Sequence, residues 1–183
     1  MRRMLFKSFL HGPLTEAAPL AGEDALAELA GQVDRSARLR LGRTLFIREV
    51  DAGSCNGCEL EIHALNNIVY DLERFGMRFV ASPRHADVLL VTGPVTTNMR
   101  EALERTYQAT PGPKWVVAVG DCARDGGVFS GSYACVGGVS AVLPVDLHIR
   151  GCPPSPTALL RGLLALLETV QSDRQEGRAP AVG

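Results

Sequence analysis

The sequence predicts an α/β domain in which a mainly parallel sheet is covered by helices on both faces. Three observations predict this fold class. Short apolar, β-branched runs alternate with segments whose apolar residues recur at helical spacing, and glycine or proline marks the junctions between them. The chain has 183 residues, of which 46% are hydrophobic, so it can bury one sizeable core.

The first predicted strand leads directly into the first predicted helix. Residues 44 to 50 form an apolar run that predicts a strand, and Asp51-Ala52-Gly53-Ser54 ends it. A helix should follow, because six apolar residues recur at three- and four-residue intervals. These residues are Leu60, Ile62, Leu65, Ile68, Val69 and Leu72.

The middle of the chain predicts two more strands and a second helix. Residues 77 to 81 and 87 to 91 are short apolar runs typical of buried strands, and the second run leads into the turn Thr92-Gly93-Pro94. Thr97 is a suitable cap for a helix that continues to about Gln108.

The C-terminal third predicts two strands and a leucine-rich helix. Residues 114 to 119 form a β-branched strand that we place centrally, and residues 145 to 149 form the last strand. The last helix spans residues 156 to 170, and Ser155 should cap it with Pro156 in its first position. Its inward-facing residues are Leu159, Leu160, Leu163, Leu164, Leu166 and Leu167. This alternation of strands and helices predicts a flavodoxin-like three-layer domain.

The chain divides into an arm, a domain and a tail. Residues 1 to 43 mix proline, alanine, glycine and charge, and we expect an extended N-terminal lead-in that docks on a partner or membrane subunit. Residues 44 to 170 form the domain. Residues 171 to 183 are polar and contain proline and glycine, so we expect a flexible tail.

Composition excludes several function classes. Lysine and arginine number 19 against 20 acidic residues, so the net charge of -1 lacks the positive field that nucleic-acid binding needs. No glycine-rich nucleotide motif is present, so no nucleotide is expected. Five cysteines are too few and odd in number for a secreted disulfide scaffold, which favours a reducing cytoplasmic setting. No apolar run reaches the ~20 residues of a membrane span.

Three of the cysteines follow the C-terminal ends of predicted strands. Cys55, Cys122 and Cys152 therefore belong to loops that meet at the edge where open α/β sheets bind ligands. Cys58 adds a second thiol to the first loop, through the sequence Cys55-Asn56-Gly57-Cys58. Four thiols at one edge predict a metal centre.

An iron–sulfur cluster fits these four thiols best, since four thiolates ligate two-iron and four-iron clusters. Structural zinc is an alternative, although its sites usually pair two Cys-x-x-Cys knuckles. A thioredoxin-like dithiol would leave Cys122 and Cys152 without a role. Cys135 stands in a glycine-rich loop without a partner motif, and we expect it outside the cluster.

Four motifs in this order resemble a known family. In sequence order they are residues 51–61 (DAGSCNGCELE), 91–95 (VTGPV), 119–122 (VGDC) and 151–156 (GCPPSP). The family is the small electron-transfer subunit shared by energy-converting membrane-bound nickel–iron hydrogenases, formate hydrogenlyase and respiratory complex I, where it is the 20 kDa subunit. The likeness covers about residues 44 to 170.

The resemblance implies one [4Fe–4S] cluster, bound by Cys55, Cys58, Cys122 and Cys152 and proximal to the active site of a large nickel–iron or quinone-site subunit. It also implies a ferredoxin-like iron–sulfur subunit and membrane subunits as partners, and a peripheral location on the inner side of the cell membrane. The chain would transfer electrons within an oxidoreductase and hold no complete active site of its own.

The spacing in the first motif separates the branches of this family. Complex I members carry adjacent cysteines there, whereas Asn56 and Gly57 separate Cys55 from Cys58, as in the hydrogenase branch. The expected function is therefore the proximal-cluster subunit of a formate-hydrogenlyase-like hydrogenase complex. The alternatives are a quinone-site subunit of a complex I relative and a zinc-stabilised interaction module without redox activity.

Two carboxylates begin the helix after Cys58. Glu59 and Glu61 stand where acidic residues commonly serve the helix dipole. The alternative hypothesis is that one of them faces the partner subunit and relays protons to or from the site where hydrogen is made or split.

Overall fold

The structure is a computed structural model that describes residue 28 and residues 44–175. Its strands are β1 (Leu45–Asp51), β2 (Met77–Phe79), β3 (Val88–Thr92), β4 (Val95–Thr96), β5 (Trp115–Val119), β6 (Cys135–Gly137) and β7 (Leu147–Ile149). Its α-helices are α1 (Gly57–Ala64), α2 (Thr97–Ala109), α3 (Gly120–Asp125) and α4 (Pro156–Gln175). The rest of the predicted N-terminal arm, and residues 176–183, lie outside the described residues.

Five strands form a parallel sheet in the order β2-β1-β3-β5-β7. Counted along the chain, this is the 2-1-3-4-5 order of the flavodoxin-like fold, so the predicted fold class is confirmed. All five residues of β3 are buried, and this strand, flanked by β1 and β5, occupies the centre of the sheet. β5 is an inner strand as expected, but it lies one position from the centre.

Helices cover both faces of the sheet, as predicted. On one face, Leu45 and Leu90 belong to a core that includes residues of α1 and α4. On the other face, Leu89 and Val116 belong to a second core that includes residues of α2 and α3. The buried leucines of α4 are Leu159, Leu160, Leu163, Leu166 and Leu167.

The helix after β1 is shorter than its apolar spacing predicts. It ends at Ala64, and the side chains of Ile68 and Val69 are 95% and 59% exposed. The cause is local, because Asn67 Oδ1 accepts the backbone N–H groups of Val69 at 2.9 Å and Tyr70 at 3.0 Å. Such bonds compete with helical backbone bonds, so the prediction of one helix as far as residue 72 was wrong.

Three smaller differences concern connections and helix ends. β4 and β6 form an antiparallel pair that the sequence did not predict. Thr96 precedes the first residue of α2, so Thr97 lies inside the helix and is not its cap. α4 continues to Gln175, past its predicted end at residue 170. Within the described part of the chain, no helix combines the length and apolarity needed to cross a membrane.

Candidate functional site

The four predicted thiols line one cavity of about 130 Å³ at the C-terminal edge of the sheet. Cys55 and Cys58 lie between the end of β1 and the first turn of α1. Cys122 lies in α3, which begins directly after β5, and Cys152 follows β7. Three connections from three parallel strands thus bring the set together.

The first connection is shaped by hydrogen bonds from its own side chains. Asp51 Oδ1 accepts the N–H groups of Gly53 and Ser54, each at 2.7 Å, and Ser54 Oγ accepts the N–H of Asn56 at 3.2 Å. Asn56 adopts a left-handed conformation with φ of 69° immediately before α1. These turns leave the Cys55 thiol exposed at the cavity and start a helix that carries Cys58.

The start of α4 faces the same edge. Ser155 Oγ accepts the N–H of Ala158 at 3.3 Å, and the Ser155 carbonyl accepts the N–H of Leu159 at 3.0 Å. Ser155 therefore caps the helix, and Pro156 is its first residue, as predicted. Because Cys152 lies shortly before this helix start, the positive end of the helix dipole favours negative charge at the cavity.

Gly120 lets the second connection pass close to a thiol of the first. Its φ is +87°, and a Cβ atom at this position would lie 2.7 Å from Cys58 Sγ. Only glycine combines this backbone conformation with this close approach. The sequence gave no sign of this contact with Cys58.

The pKa values of two of the thiols, Cys58 and Cys122, are raised. Burial raises the pKa of Cys58 to about 12, and Glu59 and the other three cysteines add to the rise. Burial also raises the pKa of Cys122, with further contributions from Cys152 and Cys55. Four thiolates in one cavity are therefore unfavourable unless positive charge is bound among them.

The donor set fits an iron–sulfur cluster. The cavity is lined by the four cysteines, and the other lining residues with polar side chains are Ser54 and Asp121. Within residues 44–175 and residue 28, no group of three or more His, Cys, Asp or Glu side chains is placed to hold a metal ion. The fit therefore rests on the chemistry of the four cysteine ligands and on their location around one cavity. Cys135 lies on β6, apart from the cavity lining.

Glu59 is buried beside the cavity without a hydrogen-bond partner. Its side chain is 6% exposed, and neither carboxylate oxygen has a partner among the described residues. Glu61 is half-buried on the same helix. The sequence analysis did not single out Glu49. The pKa of this carboxyl is raised, mainly by burial; His63 lowers it and Glu59 raises it. Strand alternation could have identified it, because alternation places Glu49 on the same face of β1 as the buried Leu45.

The chain is similar to subunits of membrane-bound redox enzymes. Residues 55–166 match the protein family described as NADH ubiquinone oxidoreductase, 20 Kd subunit. Formate hydrogenlyase subunit 7 of Escherichia coli is 41% identical over 153 residues, which cover 82% of this chain and 58% of that protein. The probable membrane-bound hydrogenase subunit mbhJ of Pyrococcus furiosus is 47% identical over 128 residues, covering 70% of this chain and 77% of that protein.

A solved structure of a membrane complex contains a chain with a similar fold. A chain of the membrane-bound sulfane sulfur reductase, an archaeal respiratory membrane complex, superposes with a TM-score of 0.64 at 34% identity. The superposition covers 77% of this chain and 76% of that chain. The structural similarity and the family match therefore agree. This chain spans 58% of the length of the Escherichia coli relative.

Proposed function

The chain belongs to the family of the 20 Kd subunit of NADH ubiquinone oxidoreductase, and on that premise we propose that it is the electron-transfer subunit of a membrane-associated, hydrogenase-type complex. Cys55, Cys58, Cys122 and Cys152 bind one [4Fe–4S] cluster. The observation that carries this proposal is the convergence of four thiols from three loops on one cavity. A bound cluster supplies one-electron transfer.

The protein's own residues hold, orient and partly shield the ligands. Cys122 is buried and Cys58 half-buried, whereas Cys55 and Cys152 are exposed. One side of the site is thus enclosed by the domain, and the other side is open toward a partner. Because burial keeps the thiols of Cys58 and Cys122 protonated, loading the site releases protons.

Exposed apolar side chains next to the ligands suit a protein partner. Leu60, two residues after Cys58, is 61% exposed, and Val128, on the turn beside Cys122, is 83% exposed. Tyr133 in the same loop is fully exposed. Exposed apolar side chains on loops around an open site are compatible with a contact surface for another protein. We assign this edge to the large catalytic subunit, with a ferredoxin-like subunit and membrane subunits completing the complex on the inner side of the membrane.

The hydrogenase branch is the best supported. Asn56 and Gly57 separate Cys55 from Cys58, and two relatives with 41% and 47% identity are named as formate hydrogenlyase and membrane-bound hydrogenase subunits. The family description favours a second candidate, a quinone-site subunit of a complex I relative. Both candidates use the same four thiols, and they differ in the chemistry of the partner.

We further assign a proton-relay role to Glu59. Its carboxylate oxygens are buried and have no hydrogen-bond partner among the described residues, so both remain available to a proton donor or acceptor on a partner. Its neighbour Cys58 is a proposed ligand, so Glu59 stands at the edge that the catalytic subunit would cover. Glu61 is less buried and fits the alternative role of an ordinary helix-dipole residue.

The decisive experiment is purification of the native complex through this chain. We expect bound iron, acid-labile sulfide and nickel, hydrogen-dependent dye reduction, and a low-temperature EPR signal of a reduced cluster that is lost when Cys122 of this chain is replaced by serine. Zinc in place of iron would establish the zinc-stabilised module instead. Iron and sulfide without nickel, together with quinone reduction or sulfane sulfur reduction, would move the assignment to another branch of the family.

A further inference from the structure

The chain makes a tight turn directly over Cys122. α3 ends at Asp125, and Gly126 and Gly127 follow with φ of +93° and +50°. A Cβ atom on Gly127 would lie 2.9 Å from Cys122 Sγ. The backbone of this turn therefore lies in contact with a proposed cluster ligand, with no room for a side chain between them.

The backbone of this turn also affects the pKa of the ligand. Burial raises the pKa of the Cys122 thiol, and a hydrogen bond from the backbone N–H of Val128 opposes that rise. The turn is closed by the N–H of Phe129, which donates to the Gly126 carbonyl at 2.9 Å. The position of the Val128 N–H thus depends on the conformation of residues 126 to 129.

Asp125 holds that conformation. Its Oδ1 accepts the N–H of Gly127 at 2.9 Å. Its Oδ2 accepts from Arg124, with 2.6 Å to Nη2 and 3.0 Å to Nε. These bonds to Arg124 and Gly127 lower the pKa of Asp125, so the acceptor stays ionised at neutral pH.

We propose that Asp125 is a positioning residue that holds the Val128 N–H against Cys122 and thereby raises the reduction potential of the cluster. The inference rests on the proposed function, because only a bound cluster gives this thiolate a potential to tune. An N–H dipole directed at a ligand sulfur stabilises the extra negative charge of the reduced state. Asp125 and Arg124 form an exposed pair, and such pairs add little to stability, so the fold should tolerate their separation.

Two substitutions isolate the role of the carboxylate oxygen. Asp125→Asn and Asp125→Ala remove the same negative charge, but only asparagine keeps an oxygen that can accept the Gly127 N–H. The midpoint potential of the cluster is measured in the purified complex by redox titration followed by EPR. We expect a lower potential in Asp125→Ala than in Asp125→Asn. Equal potentials in the two variants would overturn the proposal.

Amide hydrogen exchange of residues 126–130 in the same complexes gives a readout that survives loss of the cluster. We expect faster exchange at Val128 in Asp125→Ala than in Asp125→Asn, and equal exchange in the two would also overturn the inference. A wild-type complex without iron and sulfide would refute the proposed function itself. A cluster-bearing wild type with equal variants would refute only the role of Asp125.

Discussion

Gly120→Ala is expected to prevent binding of the proposed cluster while leaving the fold in place. The new Cβ atom would lie 2.7 Å from Cys58 Sγ, and ordinary contact begins at 3.4 Å, so the two atoms must separate by about 0.7 Å. Metal ligands tolerate displacements of only about 0.2 Å. In the metal-free protein the thiol can rotate away at little cost, but the displaced sulfur can no longer complete the ligand set.

A second glycine separates this steric effect from backbone strain. Gly131 also has positive φ, +79°, but no atom lies within 4 Å of the position that a Cβ atom would take there. Both substitutions should cost about 1–2 kcal/mol of unfolding free energy, because a non-glycine residue is strained at positive φ. For a chain of this size, that corresponds to a fall of about 2–8 °C in Tm. Only the substitution at Gly120 moves a thiol.

The assay compares iron and sulfide per chain, and the unfolding transition, in Gly120→Ala, Gly131→Ala and wild type. We expect the two variants to unfold at similar temperatures in their metal-free forms, and only Gly120→Ala to lose iron and sulfide. Full iron and sulfide in Gly120→Ala would show that Cys58 is not a ligand held against Gly120. Loss in both variants would show that strain, and not the contact with sulfur, controls cluster binding.

Three further predictions concern the ligands and the buried carboxylate. Cys122→Ser should abolish the EPR signal of the cluster proposed for this chain and Cys135→Ser should retain it; if that signal is retained in Cys122→Ser, the ligand set is wrong. Glu59→Gln should lower turnover by a factor on the order of 100 with iron content unchanged, because the amide cannot carry a proton, whereas Glu61→Gln should not. Turnover equal to wild type in Glu59→Gln removes the relay role. In the metal-free protein, unfolding free energy should fall as pH rises from the ordinary thiol pKa of 9.0 towards the value of about 12 for Cys58, because the unfolded chain loses this proton first. Chemical denaturation across this range should show a shallower fall in Cys58→Ala, and an identical slope would refute the shift.

The strands and the meeting of the thiols could be predicted because both follow from local pattern. Buried parallel strands are almost wholly apolar, and β3, with all five residues buried, is the extreme example. Once parallel strands are assigned, the loops after their C-terminal ends must meet at one edge. The common location of Cys55, Cys122 and Cys152 required no knowledge of side-chain contacts.

The end of α1 and the contacts around the thiols could not be read from the sequence. Apolar spacing continues to residue 72, but the side chain of Asn67 redirects the backbone, and apolar periodicity does not detect such a bond. The contacts of Gly120 with Cys58 and of Gly127 with Cys122 depend on how separate loops cross and turn in space. Glu49 was detectable in principle, since it is a charged residue on an inward face of β1.

The origin of the four thiols in three separate loops constrains biosynthesis. The last of them follows β7, which is an edge strand of the described sheet and pairs with β5. A nascent chain still lacking residues 147–152 has neither this strand nor the fourth thiol, however well its earlier part has folded. The proposed cluster therefore cannot be completed until the chain extends past residue 152. The content of the proposed cluster would then report that the last strand of the sheet and its cysteine are in place.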